Sequence, residues 1–292
     1  MAEGTATGLI QHAAASSPAA TGDSLLVRLL AKKRPLVMGV LNVTPDSFSD
    51  GGRFLDPRAA ISQAERLATE GADILDLGAE STRPYGGAVR VPLDEERQRL
   101  DPVLPAVVAL GLPVSIDTIK AAVAAWALEA GAAIVNDVWG LQRDPDMARV
   151  VAEHGAPVII MHNRDAADPA IDIVRDVTEF FSRSLEIAWS AGIHRHRIAL
   201  DPGIGFGKTP EQSIACIARL HEFAGFGLPL LIGASRKRFI ASVVPSQPME
   251  RLGGSIAAHL LAVENGAAIV RVHDVAPTAQ ALAVAAAIRR AR

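Results

Sequence analysis

Residues 113–137 read PVSIDTIKAAVAAWALEAGAAIVND. A short apolar run, 113–117, ends on a carboxylate. Good helix formers fill 121–130, Gly131 follows, and a second apolar run, 133–137, ends on Asn136-Asp137. Runs this short, apolar on both faces, are too brief for helices and read as strands of a parallel sheet covered on both sides. Gly131 falls where the helix must stop and the chain turn back. A helix often closes with a left-handed residue, and glycine takes that conformation without a Cβ clash.

The same unit recurs in both directions along the chain. The apolar runs are LVMGVLN (36–42), ILDLGAE (74–80), PVSID (113–117), AIVND (133–137), PVIIMH (157–162), RIALD (197–201), PLLIGAS (229–235) and AIVRVH (268–273). Gly71, Gly155, Gly192, Gly227 and Gly266 repeat the role of Gly131. Asp144-Pro145 resembles a helix cap followed by proline in the first turn. Strands alternating with helices give a parallel sheet. Eight such units predict an α/β fold, a closed (β/α)8 TIM barrel, over the alternative of an open doubly wound sheet. We expect a single barrel domain over 23–292, with 163–171 and 243–250 as long loops. Residues 1–22, rich in Ala, Gly, Ser and Thr, read as a disordered arm with no secretory signal.

Composition agrees. Of 292 residues 49% are hydrophobic but only 4% aromatic, so the core must be built from Val, Ile, Leu and Ala. The formal net charge is −3, from 29 basic and 32 acidic residues well mixed along the chain, which gives no electrostatic support for nucleic acid or an anionic membrane. No apolar stretch is long enough to span a bilayer. Cys216 is the only cysteine, which excludes an internal disulfide and a cysteine metal cluster and fits a cytoplasmic location. It reads as a small buried apolar residue.

In a barrel of this kind, reactive groups gather at the carboxyl ends of the strands. Here those ends carry Asn42, then Glu80 with Thr82 and Arg83, Asp117, Asn136 with Asp137, His162, Asp201, Ser235 with Lys237, and Arg271 with His273. Taken singly, each has a plain reading. Asp117 and Asp201 could cap helices or turns, Asn136-Asp137 could be turn chemistry, and His162 alone reads as a satisfied core histidine. Capping does not call for Arg, Lys and His at every strand end, so the set points to a site. Asp117, Asn136 and Asp201 can accept and donate along one edge, which suits a planar nitrogen heterocycle. Lys237, Arg271 and His273 lie at the usual anion corner, after strands 7 and 8. GIGFG (203–207) has the wrong context for a dinucleotide and reads as close backbone approach to a ligand. With no GxSxG, P-loop or HExxH, the chemistry must rest on positioning and electrostatics.

These residues, taken with their neighbours, resemble a family. NVTPDSFSDGG (42–52), ESTRP (80–84), SIDT (115–118), VNDV (135–138), DPGIGFGK (201–208), SRK (235–237) and VRVHD (270–274) are similar, in order, to the motifs of the dihydropteroate synthases. The resemblance implies a transferase of folate biosynthesis. It joins 6-hydroxymethyl-7,8-dihydropterin diphosphate to 4-aminobenzoate and gives 7,8-dihydropteroate and diphosphate. Asp117, Asn136, Asp201 and Lys237 would then hold the pterin, with Met161 packed against it. Asn42, Arg271 and His273 would hold the diphosphate, with Asn42 also near Mg2+. Thr82, Arg83, Pro84, Phe206, Ser235 and Lys237 would surround the aminobenzoate. Asp117, Asp201, Lys237 and Arg271 would carry catalysis. The stretch 42–53 would be a closing loop that uses Asp46, Ser47 and Phe48 to exclude water.

The resemblance further implies sulfonamide inhibitors, to which the unaltered DPGIGFGK leaves the enzyme sensitive. It also implies a homodimer, for which the Ala- and Leu-rich stretches 255–264 and 276–289 could supply an apolar face. NRDAADPA (163–170) departs from the family pattern. The alternatives are a pterin-binding methyltetrahydrofolate–corrinoid methyltransferase, which would not need NVTPDSFSDGG, Arg83-Pro84 or Ser235-Arg236-Lys237, and a catalytically inactive pterin-binding paralogue.

Overall fold

Side chains alternate between the two faces of a strand, and that alternation divides the core of this protein in two. The computed structural model describes residues 24–44, 56–80 and 91–291. Eight parallel strands close into a barrel in sequence order, β8 pairing with β1. They are β1 (Leu36–Asn42), β2 (Ile74–Gly78), β3 (Val114–Asp117), β4 (Ile134–Asp137), β5 (Val158–Met161), β6 (Ile198–Asp201), β7 (Leu230–Ile232) and β8 (Ala267–Val272). All eight runs read from the sequence are strands.

One parity of each strand points outward. Val37, Leu75, Val114, Val135, Val158, Ile198, Leu230 and Val270 meet the surrounding helices in one continuous apolar layer. The other parity fills the barrel. Leu36, Met38, Ile74, Ile134, Ile159, Ala199, Leu231 and Ile269 form its floor, which the helix Leu25–Leu30 closes from below with Leu26 and Leu29. Asp73 fastens this closure by accepting from Lys32, Arg34 and the Val37 N–H. Those bonds hold its carboxyl below the ordinary range against the opposing effect of burial. No helix among the described residues is long and apolar enough to cross a membrane.

All six glycines expected to end helices have positive φ. The helix after β3 runs from Ala121 to Glu129, as expected. The Asp144-Pro145 cap requires correction. The helix it was expected to start begins at Met147. Asp144 instead accepts from the Asp146 N–H at 3.0 Å and, across the barrel surface, from the Ala121 N–H at 2.8 Å, so it caps the neighbouring helix. Local pattern identified a capping residue but not which helix it serves. Cys216 is fully buried, and burial pushes its thiol up to about 11. Residues 1–22, and with them the expected arm, lie outside the described residues, as do Asp46, Ser47 and Phe48 of the expected closing loop.

Candidate active site

Above the apolar floor the inward parity turns polar on β2, β3, β4, β6 and β8, with Met161 on β5 the apolar exception. On β2 it passes from Ile74 to Asp76, on β3 from Ser115 to Asp117, and on β4 from Ile134 to Asn136. On β5 it passes from Ile159 to Met161, on β6 from Ala199 to Asp201, and on β8 from Ile269 to Arg271. The register sets these side by side: Asp117 pairs with Asn136, Met161 with Asp201, and Asp76 with Ser115. The register therefore gives two neighbouring pairs, Asp117 with Asn136 and Met161 with Asp201, and the long Arg271 side chain, which starts opposite Met38, reaches Asp117 from β8.

Arg271 is the hub. Its Nη2 donates to Asp117 Oδ2 at 2.9 Å, and its Nε donates to Asp76 Oδ2. Asn136 Nδ2 lies 3.3 and 3.4 Å from the Asp76 oxygens. Desolvation pulls the Arg271 guanidinium down, but Asp76 and Asp117 more than offset it and hold it above its ordinary range. Burial raises Asp117, with Asp76, Glu96 and Asp137 adding to it and Arg271 opposing. Asp117 Oδ1 is buried and has no partner among the described residues. An orphaned buried carboxylate oxygen is a place for a ligand N–H.

Asp201 is also raised by burial, against the pull of Lys237, of the Gly203 N–H that donates to its Oδ1 at 2.7 Å, and of Arg271. Lys237 follows β7. Its Nζ sits 4.5 Å from the centroid of the Phe206 ring and donates to the Ile204 carbonyl. Desolvation pulls its ammonium down to about 7, Asp201 opposing and Arg271 adding to the fall. Phe206 packs with Met161 and Val138 in a small apolar cluster, flanked by Ile119 and Trp139. Beside it, after β7 and β8, stand Ser235 and His273: Ser235 Oγ accepts from the His273 N–H at 3.2 Å and lies 3.0 Å from His273 Nδ1. Asn42 ends β1 beside Gly78, partly buried. Thr82, Arg83 and Pro84 lie outside the described residues.

Several strand-end residues turn out to be structural. Asp137 accepts from the Trp139 and Leu141 N–H groups at 2.9 and 2.7 Å, the expected turn chemistry. His162 is a satisfied core histidine: Nε2 lies 2.9 Å from Asp176 Oδ2, and Nδ1 lies 2.6 Å from Lys208 Nζ. Burial holds it neutral, pulling it down to about 4. The loop 203–207, expected to approach a ligand, packs its backbone closely against the segment after β5. A Cβ on Gly203, whose φ is +67°, would lie 2.0 Å from the His162 carbonyl oxygen.

The sequence reading passed over Asp76. It stands in the middle of an apolar run, yet Ile74, Asp76 and Gly78 share the inward parity. A fully buried carboxylate at that height needs a cation, and Arg271 is it.

A closed parallel barrel with a polar interior lined by carboxylates and an amide and flanked by a partly buried Lys and Arg defines an enzyme that takes a nitrogen heterocycle carrying an anionic group. A family model described as "Pterin binding enzyme" matches residues 38–273. The dihydropteroate synthase of Bacillus subtilis (strain 168) is 47% identical over 245 residues, 84% of this chain and 85% of that protein. Among solved structures, a dihydropteroate synthase from Clostridium difficile in the presence of pteroic acid is 48% identical with a TM-score of 0.83, covering 88% of this chain and 97% of that one. The Xanthomonas albilineans dihydropteroate synthase with 4-aminobenzoic acid is 45% identical with a TM-score of 0.84, covering 88% and 93%. The chain belongs to the pterin-binding enzymes and, within them, to the dihydropteroate synthases.

Proposed function

We propose that this polar interior condenses 6-hydroxymethyl-7,8-dihydropterin diphosphate with 4-aminobenzoate, forming 7,8-dihydropteroate and diphosphate for folate synthesis. The observation that carries this reading is the orphaned Asp117 Oδ1, beside Asn136 on the next strand and with Arg271 bound to the other oxygen of the same carboxylate. Asp117, Asn136 and Asp201 accept and donate along the edge of the pterin, and Met161 covers its face. Arg271 and His273 take the diphosphate. Phe206, Ser235 and Lys237, with Thr82, Arg83 and Pro84, receive the aminobenzoate, the place a sulfonamide would compete for. Asp46, Ser47 and Phe48 close over it.

The described groups act by electrostatics. Arg271, held by two carboxylates, meets the charge that grows on departing diphosphate. Carbon–oxygen cleavage leaves a cation on the pterin methylene. Asp117 and Asp201, buried beside the ring, favour that positive charge, and the amine of 4-aminobenzoate then forms the new carbon–nitrogen bond and loses a proton. No protein nucleophile is required.

Mg2+ is the cofactor we propose. Among the described residues no group of three or more His, Cys, Asp or Glu could hold a metal ion. One amide oxygen from Asn42 together with substrate phosphates fits Mg2+, which keeps its waters and seldom uses an all-protein cage. When bound, it would neutralise leaving-group charge.

The test is diphosphate release by the purified protein with Mg2+, the pterin diphosphate and 4-aminobenzoate. Release should depend on the amine and yield dihydropteroate. Tight pterin binding without release would instead favour the inactive paralogue, and methyl transfer to a corrinoid would favour the methyltransferase.

We also propose a cytoplasmic homodimer. An apolar cleft of about 470 Å³ opens on the outside of the barrel among Ile214, Phe239, Val243, Ala257 and Leu261. Val243 and Leu261 are 68% and 55% exposed, an unusual cost for a monomer surface. Sedimentation equilibrium should give a dimer and, for Leu261→Glu, a monomer. A wild-type monomer would sink the proposal.

A further inference from the structure

The helix Leu252–Glu264 is mostly apolar, yet it carries a buried polar stripe. Arg251 precedes its first turn, Ser255 and His259 follow at steps of four, and all three are nearly inaccessible. Residues four apart lie on one face, and this face meets the segment that joins β7 to the helix Arg238–Val243. Ala234 N–H donates to His259 Nε2 at 3.2 Å, Arg236 N–H donates to Ser255 Oγ at 2.9 Å, and Arg251 Nη1 donates to the Arg236 carbonyl at 2.9 Å. The rungs are themselves tied: Ser255 Oγ donates to the Arg251 carbonyl at 2.7 Å, and Arg251 Nη2 donates to the Ser246 carbonyl at 2.8 Å.

Every rung ends on a backbone atom of the segment, so the stripe fixes the path of the chain and is indifferent to the side chains there. It holds an unfavourable path. Arg236 has φ +58°, a left-handed conformation rare outside glycine. Both of its backbone polar groups are bound by the stripe, and its guanidinium is clamped on Asp274. That reversal sets its two neighbours on their tasks: Ser235 reaches His273, and Lys237 reaches Ile204 and the Phe206 ring. Burial keeps His259 neutral, and Nε2 is the acceptor, so the proton stands on Nδ1. Buried polar groups on an apolar helix are costly unless satisfied. These place three of their bonds on one segment, while Arg251 Nε and His259 Nδ1 have no partner among the described residues.

We infer that Arg251, Ser255 and His259 are positioning residues that set Ser235 and Lys237 for the aminobenzoate. The inference rests on the proposed roles of Ser235 and Lys237. Asp117, Asn136 and Asp201 stand on other strands, so the pterin pocket should be touched less.

The experiment is steady-state kinetics on the full chain for Ser255→Ala, Ser255→Thr, His259→Leu and His259→Gln, with Lys237→Ala and Ser235→Ala alongside. Ser255→Ala and His259→Leu should raise KM for 4-aminobenzoate about tenfold, since a displacement near 1 Å is enough for such losses. KM for the pterin diphosphate should stay within about threefold. Threonine retains the hydroxyl, and Gln Oε1 can replace the Nε2 acceptor, so Ser255→Thr and His259→Gln should recover most of the loss. The inference is overturned if Ser255→Ala and His259→Leu match the wild type, or if both KM values rise together and the conservative variants fail to rescue. If Lys237→Ala and Ser235→Ala are themselves silent, the proposed site has failed first.

Discussion

Replacing Arg271 by methionine should destabilise the folded protein by about 3–5 kcal/mol, the usual cost of leaving a buried charge without its partner. It should also lower kcat/KM by at least ~100-fold, as removal of one preorganised donor to a developing anion does. Both effects have one cause. Arg271 is the hydrogen-bonded cation between Asp76 and Asp117, and Asp76 is fully buried. Without it, two carboxylates share a desolvated site and cannot both stay ionised. The loss should therefore depend on pH. Asp117 is already held up to about 8, first by burial. A carboxyl whose folded pKa exceeds its unfolded value contributes stability at low pH and loses it as pH rises through the folded pKa. The variant should then trail the wild type least near pH 6, where Asp117 is protonated in both, and most near pH 9, where Arg271 lets the wild type alone ionise it. Urea titrations at both pH values measure this. Adding Asp76→Asn should return part of the stability but none of the activity. A loss below about 1 kcal/mol at pH 9 would mean that water, not Arg271, satisfies the pair.

Lys237→Ala should reduce kcat/KM by about 100- to 1000-fold while leaving stability nearly unchanged or raised. Lys237 is a buried ammonium whose charge is disfavoured, first by desolvation and then by Arg271, with Asp201 the compensating carboxylate. Removing an unfavourably buried cation relieves the fold, so a melting temperature that holds while activity collapses identifies a functional group. The proposed role has Lys237 touch both substrates, so both KM values should rise when it is removed outright, whereas Ser255→Ala leaves the lysine in place and Asp117, Asn136 and Asp201 still hold the pterin. Lys237→Arg should not rescue: a planar guanidinium cannot fit where a compact ammonium sits 4.5 Å over the Phe206 ring and reaches the Ile204 carbonyl. Near wild-type turnover in Lys237→Ala would remove it from the site.

The strands were legible because their signal is local: a buried parallel strand is a short apolar run, and each polar residue that ends one is visible in the run itself. Asp117, Asn136, Asp201 and Arg271 were found in this way, and all four lie on the inward parity of their strands, with Asp117 beside Asn136 and in reach of Arg271. What stayed hidden depends on which distant residue comes to face which. Nothing near Asp144 in the chain says that it caps the helix at Ala121. His162 reads identically as ligand or core residue until Asp176 and Lys208 arrive from elsewhere. Ser255 and His259 sit in an apolar helix whose partner segment is some twenty residues away. Asp76 is the intermediate case: alternation along β2 places it inside the barrel, but the cation it needs is on the last strand.

The apolar floor of the barrel has a kinetic corollary. Leu26 and Leu29 stopper it below Leu36, Ile74 and Ile269, so among the described residues, and for the site proposed above, the way in lies at the strand carboxyl ends. Traffic through that entrance forms a queue. A ring seated against Asp117 and Asn136 has to come in ahead of anything that rests at the Phe206 rim. It also has to go out behind it, so a molecule that loiters at the rim holds captive whatever lies beneath.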